Sequence, residues 1–120
     1  MQWNINGLRG KKEKFQELIE EIGPKIIVLQ EIKLTDEHPL KINNYEIYRK
    51  GRTNHGGGLC TAVHKSLPSH KINFDTQLEI LVCKVCFKNI NINICNVYFP
   101  NNVRVDINEL DKIIKEIPYP

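Results

Sequence analysis

Two short segments near the start of the chain each end in a polar side chain that can bind a metal ion. Trp3 is followed by Asn4, and the apolar run 26–29 is followed by Gln30 and Glu31. If both segments are neighbouring strands, the amide of Asn4 and the carboxylate of Glu31 lie together at one edge of a sheet. Mg2+ is usually held by one or two carboxylates, with water and phosphate completing its shell. The pair therefore indicates a candidate site for Mg2+ or Mn2+, although either segment alone is typical of a buried strand followed by a turn.

The elements that would position these side chains can be predicted from apolar periodicity. Apolar residues between Phe15 and Ile22 recur at helical spacing, which predicts an amphipathic helix over residues 11–22 that ends at Gly23-Pro24. The segment 26–30, which is apolar except for Gln30, is typical of a strand buried on both faces. With a strand over residues 1–5, the order is strand, helix, strand.

The remainder of the chain predicts mostly strands. A second helix is indicated by the spacing of apolar residues from Ile107 to Ile117, with Asp106 as its N-cap. Lys88-Asn89 is a plausible hairpin turn between the last two strands. The fold class is therefore α/β (α+β), a mixed and mainly antiparallel sheet with flanking helices. The predicted strands cover residues 45–49, 59–64, 71–74, 78–88 and 90–98.

Composition limits the possible classes of protein. A chain of 120 residues is one domain at most, and its 41% hydrophobic and 26% charged residues are ordinary for a soluble globular protein. No apolar stretch approaches the length of about 20 residues that spans a bilayer, and the N-terminus lacks the pattern of a signal peptide. An intracellular location without a membrane partner is expected.

Charge is too mild to indicate a nucleic-acid-binding protein by itself. The net charge is +3, and the basic excess lies in residues 1–71 rather than in residues 72–120. The basic half contains the proposed metal residues and the cluster Arg49-Lys50-Gly51-Arg52. This cluster is either a phosphate contact or a solvated basic loop.

The cysteines do not favour a zinc or redox site. Cys83 and Cys86 have the spacing of a CxxC pair, but they lie within a predicted strand without turn residues between them. Side chains three residues apart in a strand point to opposite faces, and no second pair would complete a zinc site. Cys60, Cys83, Cys86 and Cys95 are expected to be small buried thiols in a reducing compartment.

Four short motifs follow one another along the chain: Trp3-Asn4 with Gly7-Leu8, Leu29-Gln30-Glu31 with Lys33, Gly56-Gly57-Gly58-Leu59 with Thr61-Ala62-Val63, and Asn96-Val97-Tyr98-Phe99-Pro100-Asn101. In this order they resemble the motifs of the endonuclease/exonuclease/phosphatase superfamily. This group includes exonuclease III-like abasic-site endonucleases, pancreatic-type deoxyribonucleases and the endonuclease domains of non-LTR retrotransposons. The resemblance implies the N-terminal half of a two-sheet, four-layer α/β sandwich.

The resemblance also implies roles for individual residues. Members of the superfamily hold a divalent cation near a glutamate and an asparagine, and water attacks a phosphodiester. Glu31 and Asn4 would bind the metal, and Tyr98 would present its phenol to the phosphate or to the metal-bound water. Outside the motif, Tyr98 would be an ordinary aromatic residue at a strand end, and Glu79 is either a support for the site or one half of a cross-strand pair. The implied catalytic residues are Asn4, Glu31 and Tyr98, and the DNA-binding residues are Asn101, Arg104, Arg49 and Arg52.

The superfamily pattern continues with a Gly-Asp-Phe-Asn motif that the 120 residues do not contain. Residues 1–120 are therefore expected to be a partial domain, truncated before that motif and inactive alone. This half is expected to supply mostly one of the two sheets. Its inner apolar face would then be exposed over a patch large enough to favour association.

Two branches of the superfamily fit the motifs. The glycine-rich segment before Thr61 and the short connection to Tyr98 favour a retrotransposon endonuclease, which would nick target DNA to prime reverse transcription. Its partners would be DNA and a reverse-transcriptase domain of the same polyprotein, in the nucleus. An exonuclease III-like abasic-site repair endonuclease is the alternative. An inactive remnant with weak DNA binding, and a phosphatase of inositol phosphates or phospholipids, are further possibilities.

Overall fold

The strand–helix–strand unit at the start of the chain is present in the computed structural model, which describes residues 1–51, 57–99 and 104–118. Strand β1 (Gln2–Asn4) leads through a 3-10 turn (Arg9–Lys11) into helix α1 (Lys12–Ile22), which is followed by β2 (Ile26–Gln30). The helix ends at Gly23, whose left-handed φ of 60° lets its N–H bond to the carbonyl of Ile19 at 2.8 Å. The predicted helix 11–22 and strand 26–30 are confirmed.

The first sheet contains four strands in the order β1-β2-β4-β3, where β3 is Tyr45–Lys50 and β4 is Leu59–His64. β1 and β2 are parallel, and the other neighbouring pairs are antiparallel. α1 packs Phe15 and Ile19 against one face of this sheet, where Ile27 and Leu29 of β2 are fully buried.

The second sheet is an antiparallel meander in the order β5-β6-β7, formed by β5 (Ser69–Ile72), β6 (Glu79–Phe87) and β7 (Ile90–Tyr98). The predicted turn at Lys88-Asn89 is confirmed, and both residues adopt positive φ, as this type of tight hairpin requires. β5 begins two residues earlier than predicted. The reason is that β5 already pairs with β6 from Ser69 onwards. The carbonyl of Pro68 also accepts the N–H of Cys86 at 2.9 Å, which holds the start of β5 against β6.

Helix α2 (Ile107–Glu116) covers the outer face of the second sheet. The carboxylate of Asp106 caps it by accepting the N–H groups of Asn108 at 2.9 Å and Glu109 at 3.3 Å, as predicted. Ile113 packs against Ile80 and Val82 of β6. The layers are therefore α1, the first sheet, the second sheet and α2, which confirms the predicted α/β class and sandwich arrangement. None of the helices in the described ranges is long and apolar enough to cross a membrane.

The expectation that this half supplies mostly one sheet with an exposed inner face is wrong. Strands from both sheets are present, and Leu81 and Cys83 of β6 are at most 1% exposed where they meet Leu59 of β4. β6 is apolar on both faces, so that alternate residues face α2 and the first sheet. The inner face of the first sheet is therefore covered by the second sheet, with Leu59 packed in one cluster with Leu81.

Candidate functional site

The candidate site lies where β1 and β2 end. Because these strands are parallel and Asn4 is in register with Gln30, Asn4 and Glu31 leave the sheet at the same edge. The pairing continues past both strand ends, since the N–H of Gly7 donates to the carbonyl of Glu31 at 2.8 Å. Asn4 is exposed and Glu31 is half-buried. The arrangement expected from the sequence is thus present as backbone geometry, and the metal-binding role of the two residues stays a prediction.

The backbone around Glu31 is held in an uncommon conformation. Glu31 has a φ of 52°, in the left-handed region that non-glycine residues rarely adopt and that costs about 1–3 kcal/mol. The adjacent N–H groups of Ile32 and Lys33 donate to the carbonyls of Gly58 at 3.2 Å and Gly57 at 2.6 Å. The glycine segment therefore runs alongside Glu31 and fixes its position.

The closeness of this approach explains the need for glycine at position 57. A Cβ atom on Gly57 would lie 2.8 Å from both the Cα and the Cγ of Glu31, which is shorter than any normal contact. A side chain at position 57 would therefore displace Glu31 itself.

Gly57→Ala is accordingly expected to weaken metal binding. Substitution of a residue that holds a metal ligand in place typically lowers the metal affinity by roughly 10–100-fold. The measurement is Mn2+ titration of the full-length protein followed by electron paramagnetic resonance. Gly10→Ala is the matched control, because no atom lies within 4 Å of a Cβ at that position, and it should leave the affinity unchanged. Equal affinities in both variants would contradict the role of Gly57.

Glu79 supports the same glycine segment from the second sheet. Its buried carboxylate accepts the N–H groups of Gly58 at 3.0 Å and Gly57 at 3.3 Å. Glu79 is also in register with Tyr98 on β7. Of the two roles left open by the sequence, these hydrogen bonds favour support of the site, because the carboxylate binds the backbone that packs on Glu31.

Tyr98 connects the second sheet to the candidate site. Its hydroxyl donates a hydrogen bond to Oε1 of Glu31. This hydrogen bond is the largest of the causes that together raise the pKa of Tyr98 to about 12, and burial and the negative charges of Glu31 and Glu79 are the others. The phenol is therefore protonated at neutral pH, where it can act as a hydrogen-bond donor.

The raised pKa predicts how the contribution of Tyr98 to stability depends on pH. The folded-state pKa lies above the ordinary value of 10, so the contribution is fully present below pH 10 and is lost as pH rises through about 12. The difference in unfolding free energy between the wild type and Tyr98→Phe should therefore shrink over this range. Urea unfolding of both proteins from neutral to strongly alkaline pH measures it. A difference that stays constant up to pH 12 would contradict the assignment.

The predicted DNA-binding residues do not converge within the described part of the chain. The guanidinium of Arg49 donates to the carbonyls of Thr35, at 2.9 Å, and His38, and so holds the loop that follows the candidate site. Arg104 is exposed before α2. Arg52 and Asn101 lie outside the described residues. A DNA contact by any of the four stays a prediction.

The side chains at this edge suit a hard cation. One carboxylate and one amide supply oxygen ligands only, and Tyr98 uses only one oxygen of Glu31. Over residues 1–51, 57–99 and 104–118 no group of three or more His, Cys, Asp or Glu side chains is placed to hold a metal. Mg2+ keeps several waters and needs few protein ligands, so Glu31 with Asn4 fits it. Burial raises the pKa of the Cys60 and Cys83 thiols to about 12, which disfavours thiolate ligation. The expectation of buried thiols is confirmed for these two and is wrong for Cys86, which is half-buried, and for Cys95, which is exposed near the end of β7.

Sequence reasoning assigned no role to a buried amide pair beside the site. Asn96 of β7 is 1% exposed, and its Oδ1 accepts a hydrogen bond from Nε2 of Gln30 at 2.8 Å. The signal available in the sequence was its position two residues before Tyr98, because such residues share one face of a strand.

Comparison with known proteins identifies the group to which this fold and site belong. The sequence profile of the Endonuclease/Exonuclease/phosphatase family matches residues 1–116. The chain belongs to this family. The resemblance drawn from the four motifs is thereby confirmed at the family level.

Proteins similar to this chain include one curated relative and two solved structures, and the chain covers less than half of each. Exodeoxyribonuclease III of Haemophilus influenzae is 32% identical over 108 residues, which cover 82% of this chain and 40% of the relative. The AP endonuclease of Leishmania major has a similar fold, with a TM-score of 0.67 and 19% identity over 96% of this chain and 44% of that structure. A 3′ phosphatase of Neisseria, solved with a product DNA hairpin, has a TM-score of 0.56 and 24% identity over 81% of this chain and 39% of its own.

Proposed function

We propose that this chain supplies the metal-binding part of an exonuclease III-like DNA endonuclease. The observation that carries the proposal is the hydrogen bond from Tyr98 of the second sheet to Glu31, which leaves the first sheet at the same edge as Asn4. The 32% identity to an exodeoxyribonuclease III supports this branch of the family. The reaction would be hydrolysis of a phosphodiester bond at an abasic site.

Each of the three residues has a defined task in this proposal. Glu31 supplies the negative charge that favours a dication, and Asn4 supplies a neutral oxygen at the exposed side of the same edge. Mg2+ held there would act as a Lewis acid on a phosphoryl oxygen and would stabilise the leaving oxygen. Tyr98, protonated at neutral pH, donates its single hydroxyl proton to Glu31 and so orients that carboxylate towards the metal. The residue that activates the attacking water is not among these three.

A retrotransposon endonuclease is the second candidate. The run Gly56-Gly57-Gly58-Leu59 before Thr61, together with the short connection to Tyr98, favours it. The two candidates differ in substrate, because a retrotransposon endonuclease nicks intact target DNA rather than DNA with an abasic site. It would also have a reverse-transcriptase domain as its partner. A nuclear location would follow from either DNA substrate in a eukaryotic cell.

The substrate distinguishes these candidates. The full-length protein is incubated with Mg2+ and a duplex with one abasic site, the same duplex without it, or an intact supercoiled plasmid. We expect incision at the abasic site, loss of incision with a chelator, and little nicking of the plasmid. Equal or preferred nicking of intact plasmid would favour the retrotransposon candidate. DNA binding without incision would favour an inactive remnant, and would overturn the proposed enzyme.

A parallel reaction with Glu31→Gln guards against a contaminating nuclease. A contaminant would cut equally well in both preparations, whereas incision by this site depends on the Glu31 carboxylate. Hydrolysis of inositol phosphates or phospholipid head groups without any cleavage of DNA would also overturn the DNA proposal.

A further inference from the structure

A buried amide, that of Asn96, forms one of the polar connections between the two sheets. Asn96 of β7 uses its Nδ2 to donate to the carbonyls of Leu29 at 3.0 Å and Cys60 at 3.1 Å, on β2 and β4. Nδ2 also lies 3.4 Å from Oγ1 of Thr61. Oδ1 of Asn96 accepts from Nε2 of Gln30 at 2.8 Å. With 1% of its surface exposed, the amide has no access to water as an alternative partner.

This amide pair stands next to the hydrogen bond of the candidate site. Gln30 immediately precedes Glu31, and Asn96 precedes Tyr98 by two residues on the same strand face. Gln30–Asn96 and Glu31–Tyr98 are therefore successive side-chain links between the end of β2 and the end of β7. Both links cross the same gap between the two sheets.

The buried pair of Gln30 and Asn96 strongly favours one register of β7 against the first sheet. Moving β7 by one residue would turn Asn96 to the opposite face of its sheet and leave the buried Nε2 of Gln30 without its acceptor, although Oε1 of Gln30 would still accept from Gln2. A buried polar group without a partner is costly, so the register that pairs Asn96 with Gln30 is strongly preferred over registers shifted by one residue. The register that satisfies Asn96 also places Tyr98 opposite Glu31.

The geometry points to Asn96 as a positioning residue that sets the Tyr98 hydroxyl against Glu31 through its hydrogen bond with Gln30. Asn96 is buried and does not touch the substrate, so its effect reaches the site through Tyr98 and Gln30. The use of this position in catalysis rests on the proposed function, whereas the positioning itself does not.

The test compares Gln30→Met and Asn96→Leu with a control that loses a buried hydrogen bond elsewhere. Gln30→Met removes the donor to Asn96 while keeping the side-chain length. Tyr45→Phe removes the buried hydrogen bond to the carbonyl of Pro24 at the opposite end of β4, where Tyr45 pairs with His64. Three experiments are done on the full-length protein. They give the melting temperature, the 13C NMR signal of the Tyr98 ring, and the kcat and KM on the abasic-site duplex. The NMR signal is assigned by its absence in Tyr98→Phe.

Both site variants are expected to shift the Tyr98 signal and to lower kcat by roughly 100-fold with little change in KM, because misplacement of catalytic groups by about 1 Å has effects of this size. Tyr45→Phe is expected to lower the melting temperature while leaving the Tyr98 signal and kcat as in the wild type. If Asn96→Leu does not fold, Gln30→Met carries the test.

A folded Gln30→Met protein with an unchanged Tyr98 signal and unchanged kcat would overturn the proposal. The same holds if Tyr45→Phe shifts the Tyr98 signal as much as Gln30→Met, because the effect would then be general loosening of the fold. A wild type that does not cleave DNA would refute the proposed function alone. In that case the Tyr98 signal would still decide the positioning role.

Discussion

Glu31→Gln is expected to reduce Mg2+-dependent cleavage of DNA by roughly 1,000-fold or more. The substitution removes the only carboxylate charge that β2 delivers to this edge, and a bound metal ion contributes several kcal/mol of transition-state stabilisation. The glutamine oxygen can still accept the hydrogen bond of Tyr98, so the fold around the site should be retained. Single-turnover cleavage of the abasic-site duplex and Mn2+ binding by electron paramagnetic resonance measure the two effects.

Glu46→Gln is the matched control for this loss of charge. Glu46 is exposed on β3 and is in register with Val63, towards the opposite end of β4 from Leu59. It changes the net charge by the same amount and should leave cleavage and Mn2+ affinity unchanged. Cleavage by Glu31→Gln at the wild-type rate would show that the metal is held elsewhere.

Leu81→Ala is expected to destabilise the protein by about 2–5 kcal/mol. Leu81 is 1% exposed between the two sheets, where it belongs to the cluster with Leu59 and Cys83, and its truncation leaves a cavity in that layer. Domains are stable by only about 5–15 kcal/mol, so a loss of this size would be a large part of the total. Urea unfolding of the full-length protein, followed by circular dichroism, gives the change.

Ile90→Ala provides the comparison for Leu81→Ala. Ile90 is on β7 of the same sheet but is 62% exposed, and its truncation should change the unfolding free energy by no more than about 0.5 kcal/mol. Similar effects of both substitutions would mean that Leu81 does not lie in a layer between two packed sheets. Such a result would restore the expectation of an exposed inner face.

The sequence by itself determined the local elements and one part of the site. Helical spacing fixed α1, Asp106 marked the start of α2, and Lys88-Asn89 marked a tight turn. These features depend on interactions within a few residues, so they can be predicted without the fold. The neighbouring positions of Asn4 and Glu31 could also be predicted, because a strand–helix–strand unit commonly places its two strands side by side and in parallel.

Only the tertiary structure decided how the strands divide into two sheets and how the site is held. β6 is apolar on both faces, and its sequence pattern is compatible with either one sheet or two. Tyr98 and Glu31 are 67 residues apart in the chain, as are Asn96 and the Leu29 carbonyl that it binds. The left-handed backbone at Glu31 and the approach of Gly57 to it have no local sequence signal. These features depend on contacts between distant segments, and such contacts are set by the packing of whole layers rather than by the preferences of neighbouring residues.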